Sequence, residues 1–117
     1  MEMHVQHLEG KALNWAGFMA RSRGSPPYGR EYWKQVIMNN EYVPWENDWE
    51  SLGLWITRHQ IKLKKTSSAW CAKCGEIKAY GSSPGLAVTR CYIMLNLGDV
   101  IEVPDEFLES SINTVAK

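Results

Sequence analysis

The chain has 117 residues, 44% of them hydrophobic and 22% charged, and its thirteen basic side chains are balanced by thirteen acidic ones. That length and composition describe one folded domain that can bury a core without metal or disulfide staples, and they argue against disorder throughout. Zero net charge leaves no global field to hold a polyanion, three cysteines make no disulfide framework, and no apolar run approaches the roughly 18 residues of a membrane span.

In chain order, the first element is an amphipathic helix over residues 11–20, KALNWAGFMA, where Ala12, Trp15, Ala16 and Met19 recur at helical spacing and Gly17 is a weak point. RSRGSPPYGR, residues 21–30, is too rich in Gly, Ser and Pro for regular structure and reads as a basic loop. Residues 31–38 hold Tyr32, Trp33, Val36, Ile37 and Met38, and periodicity does not choose between a strand and a short helical turn. NNEYVPWENDWESLG, residues 39–53, has the composition of an aromatic loop packed on itself. From Leu54 to Leu63 the chain turns β-like, with Ile61, Lys62, Leu63 and Lys64 alternating as in a half-buried strand. The basic residues Arg58, Lys62, Lys64 and Lys65 then form the solvated face of that strand, and nucleic acid is not expected as a partner.

Residues 70–80 read as a hairpin turning at Gly75. A helix follows from Ser83-Pro84, with a hydroxyl to cap it, Ala87, Cys91, Met94 and Leu95 on its apolar face, and Gly98 to close it. DVIEV, residues 99–103, alternates as a short strand, Pro104-Asp105-Glu106 opens a last turn, and a polar tail fills residues 110–117. The expected fold is α+β: a two-layer domain over residues 1–109 with a small, mainly antiparallel sheet and two principal helices.

The motif most suggestive of chemistry is Cys71-Ala72-Lys73-Cys74-Gly75, half of a zinc knuckle by spacing. A second pair is missing, Cys91 falls on the apolar face of a helix, and in an extended strand side chains three apart point to opposite faces. A structural metal is therefore not expected, and no redox pair opens a helix here. His59 lies in what reads as a strand, and no nucleophile elbow, phosphate-binding loop or paired-His motif is present. What remains is a set of rings and charges: Tyr42, Trp45, Asp48, Trp49, Trp55, Arg58 and Arg90. Flat rings beside guanidinium groups can stack a base and hold a phosphate. The same rings would equally serve as a satellite core under a long loop. Six tryptophans are too many for so small a core to bury completely, so some should reach a surface or a cleft.

With those residues in view the chain resembles the NinX-like family of small proteins of tailed phages and prophages. Three blocks carry the likeness: Leu8-Glu9-Gly10 with Ala12-Leu13-Asn14-Trp15-Ala16; Tyr42, Pro44, Asp48-Trp49 and Gly53; and Gly81 to Pro84 with Leu86, Ala87, Arg90-Cys91-Tyr92, Leu97-Gly98-Asp99 and Val103 to Phe107. Residues 21–40 do not align, Trp45 stands where the family usually has a small polar residue, and Cys71 to Gly75 has no counterpart. The resemblance implies a phage accessory protein acting in the host bacterial cytoplasm, without established enzymatic activity. The function expected is counter-defence by capture of a nucleotide-like signalling molecule, without catalysis or cofactor. In that picture the ligand lies between Trp45 and Trp49, Arg90 meets phosphate and Asp48 meets a ribose or base edge. The rival is a protein-interaction module that inhibits a host enzyme or regulator, and a third reading is a small enzyme acting on such a signal. A site shared across a homo-oligomer would suit so short a chain.

Overall fold

The computed structural model describes residues 1–107; the polar tail expected over residues 110–117 lies outside them. Strand β1 (Glu2–His4) leads through a 3-10 turn (Val5–His7) into helix α1 (Gly10–Arg21). Helices α2 (Gly29–Met38) and α3 (Trp49–His59) follow, with a second 3-10 turn (Trp45–Asn47) between them. Strands β2 (Lys62–Lys65), β3 (Trp70–Cys74) and β4 (Ile77–Gly81) come next, then helix α4 (Pro84–Leu97) and strand β5 (Val100–Glu102). The molecule is an α+β fold with all pairings antiparallel: β1 pairs with β5, and β2, β3 and β4 form a meander.

Helix α4 organises the rest. Ser83 caps it by accepting the Leu86 N–H, Pro84 fills the first turn, and Gly98 ends it at a φ of 91°. Every residue from Gly85 to Ile93 is buried, the signature of a helix covered on all sides. The inner face of the meander lies on it through Ala72 and Ala79, both fully buried. Helices α1 and α3 and the second 3-10 turn cover other flanks. That turn comes so close that a Cβ on Gly85 would overlap the Glu46 carbonyl.

The hairpin at Gly75, helix α1, helix α4 and the short strand over residues 100–102 match expectation. Three readings are corrected. Residues 31–38 belong to a helix of almost three turns, entered through Tyr28 in a left-handed conformation with φ 67°. The aromatic loop expected over residues 39–53 ends at Asp48, just before α3 begins. The β-like stretch from Leu54 is helical as far as His59, and only Lys62–Lys65 is a strand. The reason is local: Asp48 caps Trp49–His59, Leu52 and Trp55 sit three apart on its buried side, and Gln60 at φ 54° stops it. Besides the two helices expected, α2 and α3 are therefore substantial elements. No helix among the described residues is long and apolar enough to cross a membrane.

Candidate functional site

The seven residues singled out from sequence do not converge on one cleft. Trp45 is 4% exposed and Trp55 7%. Trp45 sits edge-on to Phe18 at 5.0 Å and tilted against Trp55 at 5.1 Å, and Trp55 stacks on Tyr92 at 3.8 Å with the rings 3° from parallel. Gly17, the weak point of α1, makes room for this arrangement, since a Cβ there would overlap the Trp45 indole. Asn14 fixes the same loop, donating to the Gly10 carbonyl and accepting the backbone N–H of Trp45 at 2.8 Å. Tyr42 is half-buried at the margin of the cluster, its ring edge-on to Phe18 at 6.4 Å, and burial with Glu46 nearby raises its pKa.

Trp49, by contrast, is 50% exposed at the first turn of α3. The slot expected between Trp45 and Trp49 is thus replaced by a buried ring stack on one side and an exposed indole on the other. Asp48 is committed to capping, accepting the Ser51 N–H at 3.3 Å and its hydroxyl at 2.9 Å. Arg58 is exposed in the last turn of α3, where its charge complements the helix C-terminus. Arg90 is 6% exposed, and its guanidinium donates to the Leu8 carbonyl at 2.9 and 3.3 Å and to the Tyr80 carbonyl at 2.7 Å. Desolvation lowers its pKa, against the opposing pull of Glu9 and Glu46. Arg90 therefore ties the entry of α1 to the edge of the meander, with three of its five N–H donors spent on backbone carbonyls.

Both hairpin cysteines are half-buried and unbridged. Cys71 pairs across to Tyr80 and Lys64, whereas Cys74 lies three positions along the strand on the opposite face, its thiol donating to the His59 carbonyl at 3.1 Å. Cys91 is fully buried, and its thiol pKa is pushed up to about 12 by desolvation and then by Cys74 and Cys71. Among the described residues no three His, Cys, Asp or Glu side chains form a group that could hold a metal.

A cavity of about 590 Å³ lies elsewhere, between α1, α2 and the β1–β5 ribbon. Its floor is apolar: Trp15, Met19, Ile101 and Val103 are buried beneath it. Its rim carries Glu31, Glu102, Asp105 and Glu106 against Arg30 and Lys34. Lys34 bridges Glu31 and Glu106, each at 3.1 Å, so its charge is already neutralised, and the Met1 ammonium lies 2.5 Å from Glu102 and 3.5 Å from Asp105. Arg30 makes no ion pair among the described residues and holds the Gly24 carbonyl at 3.1 Å. The rim is thus slightly acidic. Volume and lining fall in the range of ordinary ligand pockets. None of the seven sequence-selected residues lines it, and its rim residues fall in segments read as a basic loop (Arg30), a strand or short helical turn (Glu31, Lys34), a short strand (Glu102) and a last turn (Asp105, Glu106). The signal that could have found them is the acidic bias of VIEVPDE against the basic loop before α2. No family model, curated protein or solved structure matches the chain.

Proposed function

We propose that this chain is a non-catalytic protein-interaction module whose cavity between α1, α2 and the β1–β5 ribbon grips a basic, amphipathic segment of another protein. In the phage setting that the resemblance implies, the partner is a host enzyme or regulator, inhibited by occupation. The observation that carries the reading is the pairing of an apolar floor with a rim on which four carboxylates outnumber Arg30, Lys34 and the Met1 ammonium by one. An apolar side chain fits the floor over Trp15, and Lys or Arg beside it meets Glu102 and Asp105, both highly exposed. A phosphate would meet net negative charge at the same rim. Capture of a nucleotide by Trp45, Trp49 and Arg90 is the weaker alternative, since Trp45 is in the core and Arg90 is buried with three of its donors on backbone carbonyls.

The test is titration calorimetry with an amphipathic Lys/Leu peptide, a matched Glu/Leu peptide and a cyclic dinucleotide. The Lys/Leu peptide should bind, and reversing both Glu102→Lys and Asp105→Lys should weaken it roughly tenfold or more, as loss of rim charge complementarity does. Binding of the dinucleotide with no heat from either peptide would restore the nucleotide reading.

A further inference from the structure

The meander presents an outer face with an unusual charge pattern. Register places Lys62 opposite Lys73 and Lys73 opposite Lys78, so three lysines form one row across three strands. The adjacent row on that face is Lys64, Cys71 and Tyr80, whereas Lys65 alternates to the other face and lies 5.9 Å over the Trp70 ring. Between residues 62 and 81 the sequence holds five lysines and a single acid, Glu76. No ion pair involves any of these lysines among the described residues. All five lysines are exposed.

Like charges directly opposite each other destabilise a sheet, with Cβ atoms only about 5 Å apart. A chain of zero net charge has no general need to concentrate five lysines on one small sheet. Lysines on the edge strands β2 and β4 guard against edge pairing, but that reason does not extend to Lys73 on the central strand, set between Lys62 and Lys78. A polyanion supplies one: adjacent strands lie about 4.8 Å apart, so the row spreads its three ammonium groups across about 10 Å, a spacing that flexible lysine stems can match to successive phosphates. Tyr80, 43% exposed in the neighbouring row, adds a flat ring beside the charges. A basic track with an exposed ring is the combination that holds a single strand, where a base can leave its neighbours and stack.

We infer that the outer face of the β2–β3–β4 meander is a binding surface for single-stranded nucleic acid, with Lys62, Lys73, Lys78 and Lys64 on phosphates and Tyr80 on a base. It shares no residue with the cavity and stands whether or not the cavity takes a peptide.

Fluorescence anisotropy with labelled oligo-dT, oligo-rU and a DNA duplex, read across a salt series, tests it. Four phosphate contacts predict a slope of log K against log salt of about −3 for the single strands. The double variant Lys73→Gln, Lys78→Gln should reduce that slope by about 1.4 and weaken binding roughly tenfold or more. Tyr80→Ala should cost roughly 5- to 100-fold on single strands and little on duplex. Lys11→Ala, on another surface, should change neither. Removing repulsion should also raise the melting temperature of Lys73→Gln by about 2 to 4 °C, which separates lost binding from lost folding. The inference is overturned if neither oligonucleotide binds at low salt, or if the double variant binds as well as the parent. Duplex binding that matches the single strands and ignores Tyr80→Ala also overturns it. So does binding to phosphatidylglycerol vesicles with none to oligonucleotides, which would make the partner a lipid surface.

Discussion

Arg90 and Cys91 are neighbours on α4 and illustrate how burial settles what a reactive residue type can do. Three guanidinium nitrogens of Arg90 serve two carbonyls, and no carboxylate pairs with it among the described residues, so removing the side chain leaves the buried Leu8 carbonyl short of its donors, while the Tyr80 carbonyl keeps the Gln6 amide at 2.7 Å. Arg90→Ala should destabilise the protein by about 3 kcal/mol in urea unfolding, as the loss of charge-assisted bonds to buried acceptors does. If Arg90 served a ligand instead, the variant would fold normally and only binding would change. Cys91 makes a different prediction. Its thiol pKa is raised in the folded state, so above the ordinary thiol pKa near 9 the unfolded chain loses a proton that the folded one keeps. Stability should therefore be intact below pH 9 and fall by up to about 1.4 kcal/mol per pH unit as pH rises toward 12. Cys91→Ala should flatten the first part of that fall, before the tyrosines contribute. A thiol-reagent titration at pH 8 should modify Cys71 and Cys74 in the native protein and Cys91 only on unfolding.

Caps, periodicity and turn residues made several elements legible. Ser83-Pro84 and Gly98 bracket α4, the helical spacing of Trp15, Ala16 and Met19 marks α1, and Gly75 at φ 59° turns the hairpin where it was expected. Helix α3 was hidden because the true alternation of residues 61–64 was extended backwards over Leu54, and because Asp48 looked like a ligand residue when it was an N-cap. Leu52, Trp55 and Ile56 were the helical signal available. The site was less legible than the fold, for a physical reason. Aromatic residues that look like a binding loop can equally be a core, and the choice is made by contacts distant in sequence, such as Gly17 beneath Trp45. Gly17→Ala should destabilise the protein by about 1–3 kcal/mol through overpacking, despite alanine being the better helix former. Trp45→Phe should cost less than its size suggests, because the Trp45 indole N–H is buried without a hydrogen-bond partner among the described residues. Thermal melts of the two variants check both statements. If Gly17→Ala melts higher than the parent, the ring is not seated on α1 as described.

At the scale of the molecule, a neutral chain separates its charge. Five lysines lie along the meander, whereas four carboxylates rim the cavity between α1, α2 and the β1–β5 ribbon. Separation of this kind steers differently charged partners to different faces and weakens with salt. Of the rings in which sequence placed the ligand, Trp45 and Trp55 belong instead to a largely buried run of rings from Phe18 to Tyr92. Only Trp49 of that group reaches well into solvent. The six tryptophans thus make a convenient set of reporters, because Trp15 lies under the cavity and Trp49 marks the opposing nucleotide reading. The most direct measurement is an NMR titration that follows the six indole N–H signals as the Lys/Leu peptide or a cyclic dinucleotide is added. The account predicts that the peptide shifts Trp15, leaves Trp49 in place and loses its effect in the Glu102→Lys, Asp105→Lys variant. A dinucleotide that shifts Trp45 and Trp49, with Trp15 unmoved by the peptide, would contradict it.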